Sequence, residues 1–319
     1  MVGRAAGVAP PLPAGLLYVF SRLGQLVPTL LTVSLIAFVL IRLSGDPASL
    51  LLTPEASEAE RRAFRDAHGL DRSLPVQYLL FLGNLLRGDF GQSIRFKGSA
   101  MAVVTERLPA TFELGLTSFA IAVIVAIPVG LLSAVYRNRL IDHMAMSVAL
   151  VGQAAPTFFI GILFILLISV KAGLLPTSGR GDWRHLVLPA VTLGLFAMAS
   201  IARLTRSAML EVLRADYIRT ARAKGLAELL VVIKHTLRNA AIPILTITGL
   251  QFGGLLAGAV VTETVFAWPG IGRLAIQSIY NRDYPVVQCV VLLSAALFVV
   301  INLAIDAVYG LLDPRIRVR

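Results

Sequence analysis

The chain has 319 residues, of which 57% are hydrophobic and only 15% are charged, and its formal net charge is +11. A soluble globular protein must cover itself with polar groups, so this composition excludes a soluble protein and indicates an integral membrane protein. The excess cations lie beside apolar segments, so membrane topology explains them and no nucleic-acid partner is needed. The single cysteine, Cys289, excludes a framework of intramolecular disulfides.

Six apolar segments are long enough to cross a bilayer. Residues 1–20 are rich in proline and glycine and are expected to form a flexible tail on the cytoplasmic side. The first span is expected at residues 21–43, because this apolar run is too long for a signal peptide and no cleavage site follows it directly. Five further spans are predicted near residues 112–135, 144–170, 186–204, 240–262 and 286–312. Prolines 28, 128, 156 and 189 fall within these spans or at their ends, where neighbouring helices can satisfy the freed carbonyls.

Charge in the short loops predicts the orientation. Arg137 and Arg139 follow the second span, a strongly basic stretch at residues 203–243 follows the fourth, and three arginines end the chain. The positive-inside rule then places both termini and the basic stretch in the cytoplasm. Arg203, at the end of the fourth span, is expected to extend its charge to the membrane interface.

The loop at residues 44–109 is expected to form a small extracytoplasmic domain. Ser57 and Glu60 have the spacing of a capping box, which predicts the start of a helix, and Gly69 is a candidate for its stop. A second helix is predicted from Pro75 to Arg87, with Gly88 as its stop. Its wide apolar face must pack against something, either the spans below it or an external partner.

The basic stretch is predicted to contain a helix, a glycine turn and a second helix. Good helix formers run from Asp216 to Lys224, and Gly225 follows them. Five apolar residues after the turn recur at helical spacing and predict one apolar face: Leu226, Leu229, Leu230, Ile233 and Leu237. A polar projection of this kind, carried by membrane helices, is suited to docking a soluble partner.

The segment after the fifth span combines a carboxylate, two aromatic rings and a Pro-Gly turn. Its candidate residues for an outer gate or translocation pathway are Glu263, Phe266, Trp268, Pro269 and Gly270, and a short amphipathic helix is predicted at residues 271–280. The aromatic residues could instead be interfacial anchors. Both interpretations stay open on the sequence alone.

Several kinds of chemistry have no counterpart in this sequence. It contains no G-x-x-x-x-G-K-[ST] phosphate-binding loop, so this chain cannot itself cradle nucleotide phosphates in that way. It contains neither H-E-x-x-H nor C-x-x-C, and its four histidines are scattered, so no metal site and no catalytic residues are predicted.

Short motifs from residue 21 to the end of the chain carry a resemblance. They are Gly45-Asp46-Pro47, Pro75-Val76-Gln77-Tyr78, Gly88-Asp89-Phe90-Gly91, the run from Asp216 to Gly225, Leu237-Arg238-Asn239-Ala240, the run from Glu263 to Gly270, Asn281-Arg282-Asp283-Tyr284-Pro285 and Asp313-Pro314-Arg315. Together they resemble the permease subunits of bacterial ABC importers in the binding-protein-dependent dipeptide, oligopeptide and nickel family. The long first outer loop resembles the B-type half of that family.

The basic stretch matches part of the family's cytoplasmic signature, E-A-A-x-x-x-G-x(9)-I-x-L-P. Gly225, Leu237 and Ala221 match the pattern. Arg219 replaces the glutamate, Thr220 the first alanine, His235 the isoleucine and Arg238 the proline, as is common in the peptide branch. A salt bridge made by the glutamate is therefore not expected here, whereas the docking role is.

The resemblance implies an all-α integral membrane protein of the type I ABC importer kind. Six transmembrane helices would carry a helical extracytoplasmic loop domain, with residues 110–319 as the core permease domain and coupling helices at about residues 211–238. The implied ATPase-coupling residues are Asp216, Tyr217, Arg219, Thr220, Ala221, Lys224, Gly225 and Leu237. The chain would bind no cofactor, because ATP and Mg would bind to the partner ATPases.

The implied partners are a second homologous permease subunit, two ATP-binding ATPase subunits and an extracytoplasmic substrate-binding protein, assembled in the bacterial inner (plasma) membrane. The expected cargo is a di- or oligopeptide, with nickel, glutathione or another small solute as alternatives. A self-contained secondary transporter or channel is the alternative from another class, but it would not need the basic helix pair.

Overall fold

The computed structural model describes residues 14–43, 57–68 and 71–312, and most of them are helical. In chain order the helices are α1 (Ala14–Leu43), α2 (Glu58–His68), α3 (Leu74–Leu86), α4 (Ala100–Val135), α5 (Leu140–Ala154), α6 (Thr157–Phe164), α7 (Trp183–Leu213), α8 (Asp216–Ala223), α9 (Glu228–Leu230), α10 (Arg238–Val265), α11 (Ile271–Tyr280) and α12 (Tyr284–Leu312). Two π-helical segments, Ile165–Lys171 and Val231–Leu237, extend α6 and join α9 to α10. In the described ranges the one extended pairing is a bridge between Gln92 and Ser99. The all-α class predicted from the sequence is confirmed.

Helices α4 and α7 form the centre of the bundle and share a core with α10 and the segment after it. Small residues let the helix axes approach closely. A Cβ added at Gly130 would lie 2.5 Å from the carbonyl oxygen of Ala202, and one added at Gly194 would lie 2.8 Å from that of Ser118. In a membrane, where lipid tails are as apolar as leucine, close packing of this kind is a main source of helix association.

Four continuous helices of the described chain are long and apolar enough to cross a membrane: Ala100–Val135, Trp183–Leu213, Glu228–Leu255 and Tyr284–Ile305. The apolar stretch found in α1 is shorter and runs from Val27 to Val39. The helix carrying the second predicted span begins at Ala100, well before residue 112. The exact count of six spans stays a prediction.

The third predicted span, at residues 144–170, is not one straight helix. Helix α5 and the following helix to Lys171 meet at an angle of 110°, so they form one broken span or a re-entrant loop. The break falls at Ala155 and Pro156, both of which are extended. Proline has no N–H to continue the helical ladder and disfavours helical geometry at the residue before it, which explains the position of the break.

The outer-loop helices form where the sequence predicts them. Ser57 N donates to Glu60 Oε2 at 2.8 Å and Glu60 N to Ser57 Oγ at 3.3 Å, which is the reciprocal pattern of a capping box. The hydrogen bonds that Ser57 N and the Ser57 hydroxyl donate to the carboxylate of Glu60 lower its pKa. The stop of this helix predicted at Gly69 lies outside the described residues.

Helix α3 rests on α1. The Tyr78 hydroxyl lies 2.8 Å from Ser34 Oγ, and the Phe38 ring packs against the rings of Tyr78 and Phe81 with centroids 5.4 and 5.8 Å away. These contacts come from Tyr78 and Phe81, whereas Val76, Leu79 and Leu80 of the predicted apolar face are exposed, so both alternatives left open by its sequence stay open. Part of α3 remains uncovered, since Leu86 is 89% exposed.

Candidate functional site

Gly225 closes a tight turn between α8 and α9. Its φ is +72°, a conformation that residues with a Cβ rarely adopt. Gly225 N donates to Arg222 O at 2.9 Å and Leu226 N to Ala221 O at 3.4 Å, so the last carbonyls of α8 are satisfied by the turn. No other heavy atom lies within 4 Å of the position of a Cβ on Gly225. The turn therefore projects into open space.

A bidentate ion pair spans this turn. Arg222 Nη2 lies 2.6 Å from Glu228 Oε1, and Arg222 Nε lies 3.0 Å from Oε2, which fixes α8 relative to α9. The hydrogen bond with Glu228 raises the pKa of Arg222. By contrast, Arg219 reaches Asp216 at only 3.5 Å, and both side chains are mostly exposed. The pair Arg222–Glu228, which the family signature does not contain, therefore stiffens the turn.

The apolar residues predicted to share one face after the glycine are mostly exposed. Leu229 is 75% exposed, Ile233 48% and Leu230 41%, while Val231 and Val232 are buried instead. Leu226 is also exposed and Leu237 is half-buried. The interior of the helix pair is built from Ile218, Ala221 and Val231. Most of these side chains share an exposed face, and the described part of the chain does not cover it.

The remaining candidate coupling residues lie around this exposed surface. Asp216, Tyr217, Arg219, Thr220, Lys224 and Gly225 are exposed, and Ala221 is buried beneath them. We call the exposed residues from Asp216 to Ile233 the coupling surface. It combines arginine and lysine heads with uncovered leucine and tyrosine side chains, so it can offer another protein both charge and apolar area.

Sequence reasoning missed the ion pair that supports this end of the bundle. Arg206 donates to Asp142 from Nε at 2.7 Å and from Nη2 at 2.8 Å, and Asp142 also accepts from Asn138 N at 2.9 Å and from the Ser133 hydroxyl. Asp142 is 2% exposed. This cluster ties the end of α4, the start of α5 and α7 together. An arginine within a span needs a partner, which is the signal that could have suggested it.

Glu263 anchors the segment at the other end of α10. Its carboxylate is fully buried, accepts from the Thr111 hydroxyl at 2.6 Å and accepts from Arg273 N at 2.9 Å. Trp268 Nε1 donates to the Ala110 carbonyl at 2.8 Å. We call the segment from Glu263 to Arg273, together with its contacts to α4, the outer clamp. It joins α4, α10 and α11 through long-range contacts.

The clamp leaves no room for side chains at its glycines. A Cβ on Gly270 would lie 2.1 Å from Glu263 Oε1, and one on Gly272 would lie 2.7 Å from Val260 Cα. Phe266 and Trp268 are each 1% exposed, and Pro269 is half-buried. These aromatic rings lie in the interior of the chain, so they are not anchors at a lipid interface. A gating role of the clamp stays a prediction.

Among the described residues no group of three or more His, Cys, Asp or Glu side chains is placed to hold a metal ion. The two features that the sequence singled out, the coupling surface and the outer clamp, lie at opposite ends of α10. The structure does not bring them together into one site. It connects them through a single long helix.

Comparison with protein families matches residues 126–318 to the binding-protein-dependent transport system inner membrane component. The match covers more than half of the chain, and the chain belongs to this family. It is therefore a membrane-embedded transport component, an ABC importer permease of the dipeptide, oligopeptide and nickel type.

Curated relatives agree over almost the whole length. The glutathione transport system permease protein of Escherichia coli (strain K12) is 44% identical over 301 residues, which are 94% of this chain and 98% of the relative. The protein of the same description from Salmonella typhimurium (strain LT2) shows the same identity and coverage.

Among solved structures, the inward-facing MetNI methionine ABC transporter shares the fold, with a TM-score of 0.57 and 21% sequence identity. The match covers 69% of this chain and 98% of that one. An amino acid ABC transporter, at 18% identity, gives a TM-score of 0.51. The predicted type I importer-like fold is thus confirmed.

Proposed function

We propose that this chain forms half of the translocation pathway for glutathione or another short peptide, which an external substrate-binding protein delivers. The supporting observation is the 44% identity over nearly the full length to a permease named for glutathione transport. Peptides other than glutathione remain within the same proposal, because they share its amide backbone and terminal carboxylate. Uptake of nickel or another solute instead of a peptide would contradict the proposal in the transport experiment described below.

The proposed assembly contains a second, homologous permease and two ATPase subunits, which bind the ATP and Mg. The chain itself would then be no enzyme. The coupling surface supports this arrangement, since it presents Leu229, Leu230 and Ile233 uncovered beside basic side chains. Uncovered leucine side chains on a folded, hydrogen-bonded element are typical of a surface that another protein covers.

We expect movement of the ATPase subunits during ATP hydrolysis to displace the coupling surface as a rigid unit. The Arg222–Glu228 pair fixes α8 to α9, and the π-helical segment continues α9 directly into α10. A displacement imposed at Gly225 would therefore be carried along α10 rather than absorbed in the turn. The Asp142–Arg206 pair would hold the adjacent ends of α4, α5 and α7 in register.

The outer clamp would receive that displacement at the far end of α10, where Glu263 and Trp268 connect it to α4. We expect it to set the resting position of an outer gate. Trp268→Phe keeps a buried aromatic ring, although a smaller one, and removes the hydrogen bond to the Ala110 carbonyl. It is expected to alter ATP hydrolysis stimulated by the binding protein in assembled complexes, and unchanged stimulation would limit the clamp to a structural role.

The cargo is tested with the complete transporter, co-expressed from this chain and the proteins encoded beside it. Reconstituted vesicles should accumulate labelled glutathione only with ATP and the binding protein present. Uptake of nickel or another solute without uptake of glutathione or short peptides would overturn the proposed cargo. Accumulation without any ATPase would instead indicate a secondary transporter.

The proposed orientation has its own test. Cysteines at Ser57 and at Arg139, in a Cys289→Ala background, should react with an impermeant thiol reagent from opposite sides of the membrane. Both positions are exposed in the structure, so accessibility does not limit the reaction. Labelling of both from outside intact cells would contradict the cytoplasmic placement of the loop at Arg139.

A further inference from the structure

A groove lined by both polar and apolar side chains lies between α7 and α10, distinct from the coupling surface and the outer clamp. It has a volume of about 430 Å³ and is lined by Phe196, Ser200, Arg203, Leu204, Ser207, Ile247 and Gln251. The α7 residues recur at intervals of three and four, so they form one stripe along that helix. The groove thus combines one cation with three neutral hydrogen-bonding side chains.

Arg203 is the unusual member of this groove. Its side chain is exposed, and it has no hydrogen bond or ion pair with any residue that the structure describes. Arg206, one turn further along α7, is neutralised by Asp142. At the end of a span, an unpaired cation extends to the interface or faces a water-filled cavity, a partner or an ion pathway.

The polarity of the groove argues against a lipid-facing surface. Two other grooves of the described bundle, of about 260 Å³ each, are lined almost entirely by apolar side chains such as Leu108 and Phe298 in one and Val125 and Val148 in the other. Acyl chains suit those grooves. The groove at Arg203 offers hydroxyl and amide groups where lipid tails could use none of them.

Arg203 also lies on the section of α7 nearest the coupling surface. At 1.5 Å per residue it is roughly 30 Å along the helix from Trp183 and roughly 15 Å from the end at Leu213. A solute leaving toward the coupling side would pass this depth after crossing most of the bundle. We propose that the groove is an anion-binding station of the exit pathway, in which Arg203 binds a carboxylate of the peptide-class cargo.

The chemistry of the groove fits a carboxylate. A guanidinium group offers paired N–H donors that match the two oxygens of a carboxylate. Ser207 is exposed beside Arg203, and Gln251 lies across from it on α10, so further donors are available for the rest of the peptide. Ser200 already accepts a hydrogen bond from Gln153 at 3.2 Å, which holds that side of the groove in place.

This station rests on the proposed function, since it needs a cargo with a carboxylate. Its physical effect is to reduce the cost of moving a negative charge through a low-dielectric passage. Because the groove is open, binding there would be weak enough to allow release. Arg203 is thus inferred to be a specificity-determining residue that favours anionic peptides over cationic ones.

The local charge is tested with Ser207→Cys in a Cys289→Ala background, in the complete complex and in inside-out membrane vesicles. The probes are an anionic sulfonate and a cationic trimethylammonium methanethiosulfonate, each normalised to its reaction with a free thiol. The anionic probe should react about tenfold faster, and Arg203→Gln should abolish this preference. Equal normalised rates with Arg203 present would overturn the anion site.

The occupant is tested by protection of the same cysteine. S-methylglutathione, which has no free thiol, should slow the labelling, and its diethyl ester should not. Protection by both compounds, or by neither, would overturn a carboxylate station for cargo. If the labelling rate depends only on the anionic lipid content of the vesicles, Arg203 binds a headgroup phosphate. That result would also overturn the carboxylate station.

Transport gives an independent measurement. Arg203→Gln should lower glutathione uptake about tenfold, the order expected for loss of one charge-assisted contact, and Arg203→Lys should retain most of it. The number of glutathione molecules taken up per ATP hydrolysed should therefore fall in Arg203→Gln and be largely restored in Arg203→Lys. Equal loss of uptake and hydrolysis would indicate a structural role. Failure of the wild-type complex to take up glutathione would refute the proposed cargo, whereas the labelling experiments would still decide on the anion site.

Discussion

The turn at Gly225 precedes the continuous helix that runs from Glu228 to the end of α10, and the turn at Gly270 follows that helix. The two turns are built in opposite ways. Around Gly225 a Cβ would meet nothing within 4 Å, whereas at Gly270 it would lie 2.1 Å from the Glu263 carboxylate. Gly225 is glycine because of its positive φ, and Gly270 because of its neighbours. The first turn leaves its surface for another molecule, and the second is closed by this chain alone.

Substitutions at the two turns should therefore have different effects. Substitutions in the outer clamp should destabilise the chain itself. Substitutions on the coupling surface should leave the chain folded and reduce what it does with partners.

The largest effect is expected for Gly270→Ala. The φ of −96° allows alanine, so the cost comes from displacing Glu263 from its buried hydrogen bonds, about 3 kcal/mol or more. Its thermal midpoint in detergent should fall far below that of Gly254→Ala, which lies on α10 with nothing within 4 Å of the added Cβ. Similar midpoints for the two variants would contradict the closed clamp.

Gly225→Val is expected to insert and assemble but to lose transport. Valine at a φ of +72° strains the backbone by roughly 1–3 kcal/mol, too little to unfold the bundle, but it also adds bulk to the coupling surface. Gly88→Val is the matched control, with a φ of +74° and equally open space at the end of α3. Uptake and ATPase retention should fall in Gly225→Val alone, and normal values there would remove the coupling role.

Leu229→Ser should weaken ATPase binding without changing the stability of this chain. Leu229 is 75% exposed, so its removal costs little packing in the isolated chain, but a covering partner would lose apolar contact area. Leu86→Ser, at a residue 89% exposed on α3, should leave ATPase binding unaltered. Equal ATPase pull-down by the two variants would show that Leu229 is not covered.

The smallest effect is expected for Arg219→Ala. Its contact with Asp216 is 3.5 Å long and highly exposed, so loss of that pair should not alter stability measurably. Arg222→Ala removes two short hydrogen bonds across the turn and should lower coupling efficiency more. Hydrogen–deuterium exchange of residues 216–230 would compare the two, and faster exchange in Arg219→Ala would refute this ranking.

The sequence predicted the helix, turn and helix around Gly225 because helix propensity and a glycine stop are local properties. It could not predict which side of the second helix would be covered, since periodicity groups Leu229 and Ile233 on one face without naming what faces them. The broken third span was missed for a related reason. Pro156 was noted, but whether neighbouring helices straighten or preserve a break depends on tertiary contacts.

The outer clamp and the Asp142–Arg206 pair were beyond sequence reasoning for another reason. Thr111 and Glu263 are 152 residues apart, and Asp142 and Arg206 are 64 apart. Composition and periodicity describe one element at a time, so they do not determine which polar groups meet between elements. The burial of Trp268 shows the same limit, because an aromatic residue at a membrane edge has the same sequence signature whether it faces headgroups or the core.

The uncovered leucines of the coupling surface also have a consequence for the cell. If another protein covers Leu229, Leu230 and Ile233 as proposed, a copy of this chain that lacks that protein leaves these side chains exposed. Exposed apolar side chains of this kind are what chaperones and quality-control proteases bind. Surplus copies should therefore be short-lived, and the steady-state amount of this chain should follow the supply of whatever covers that surface.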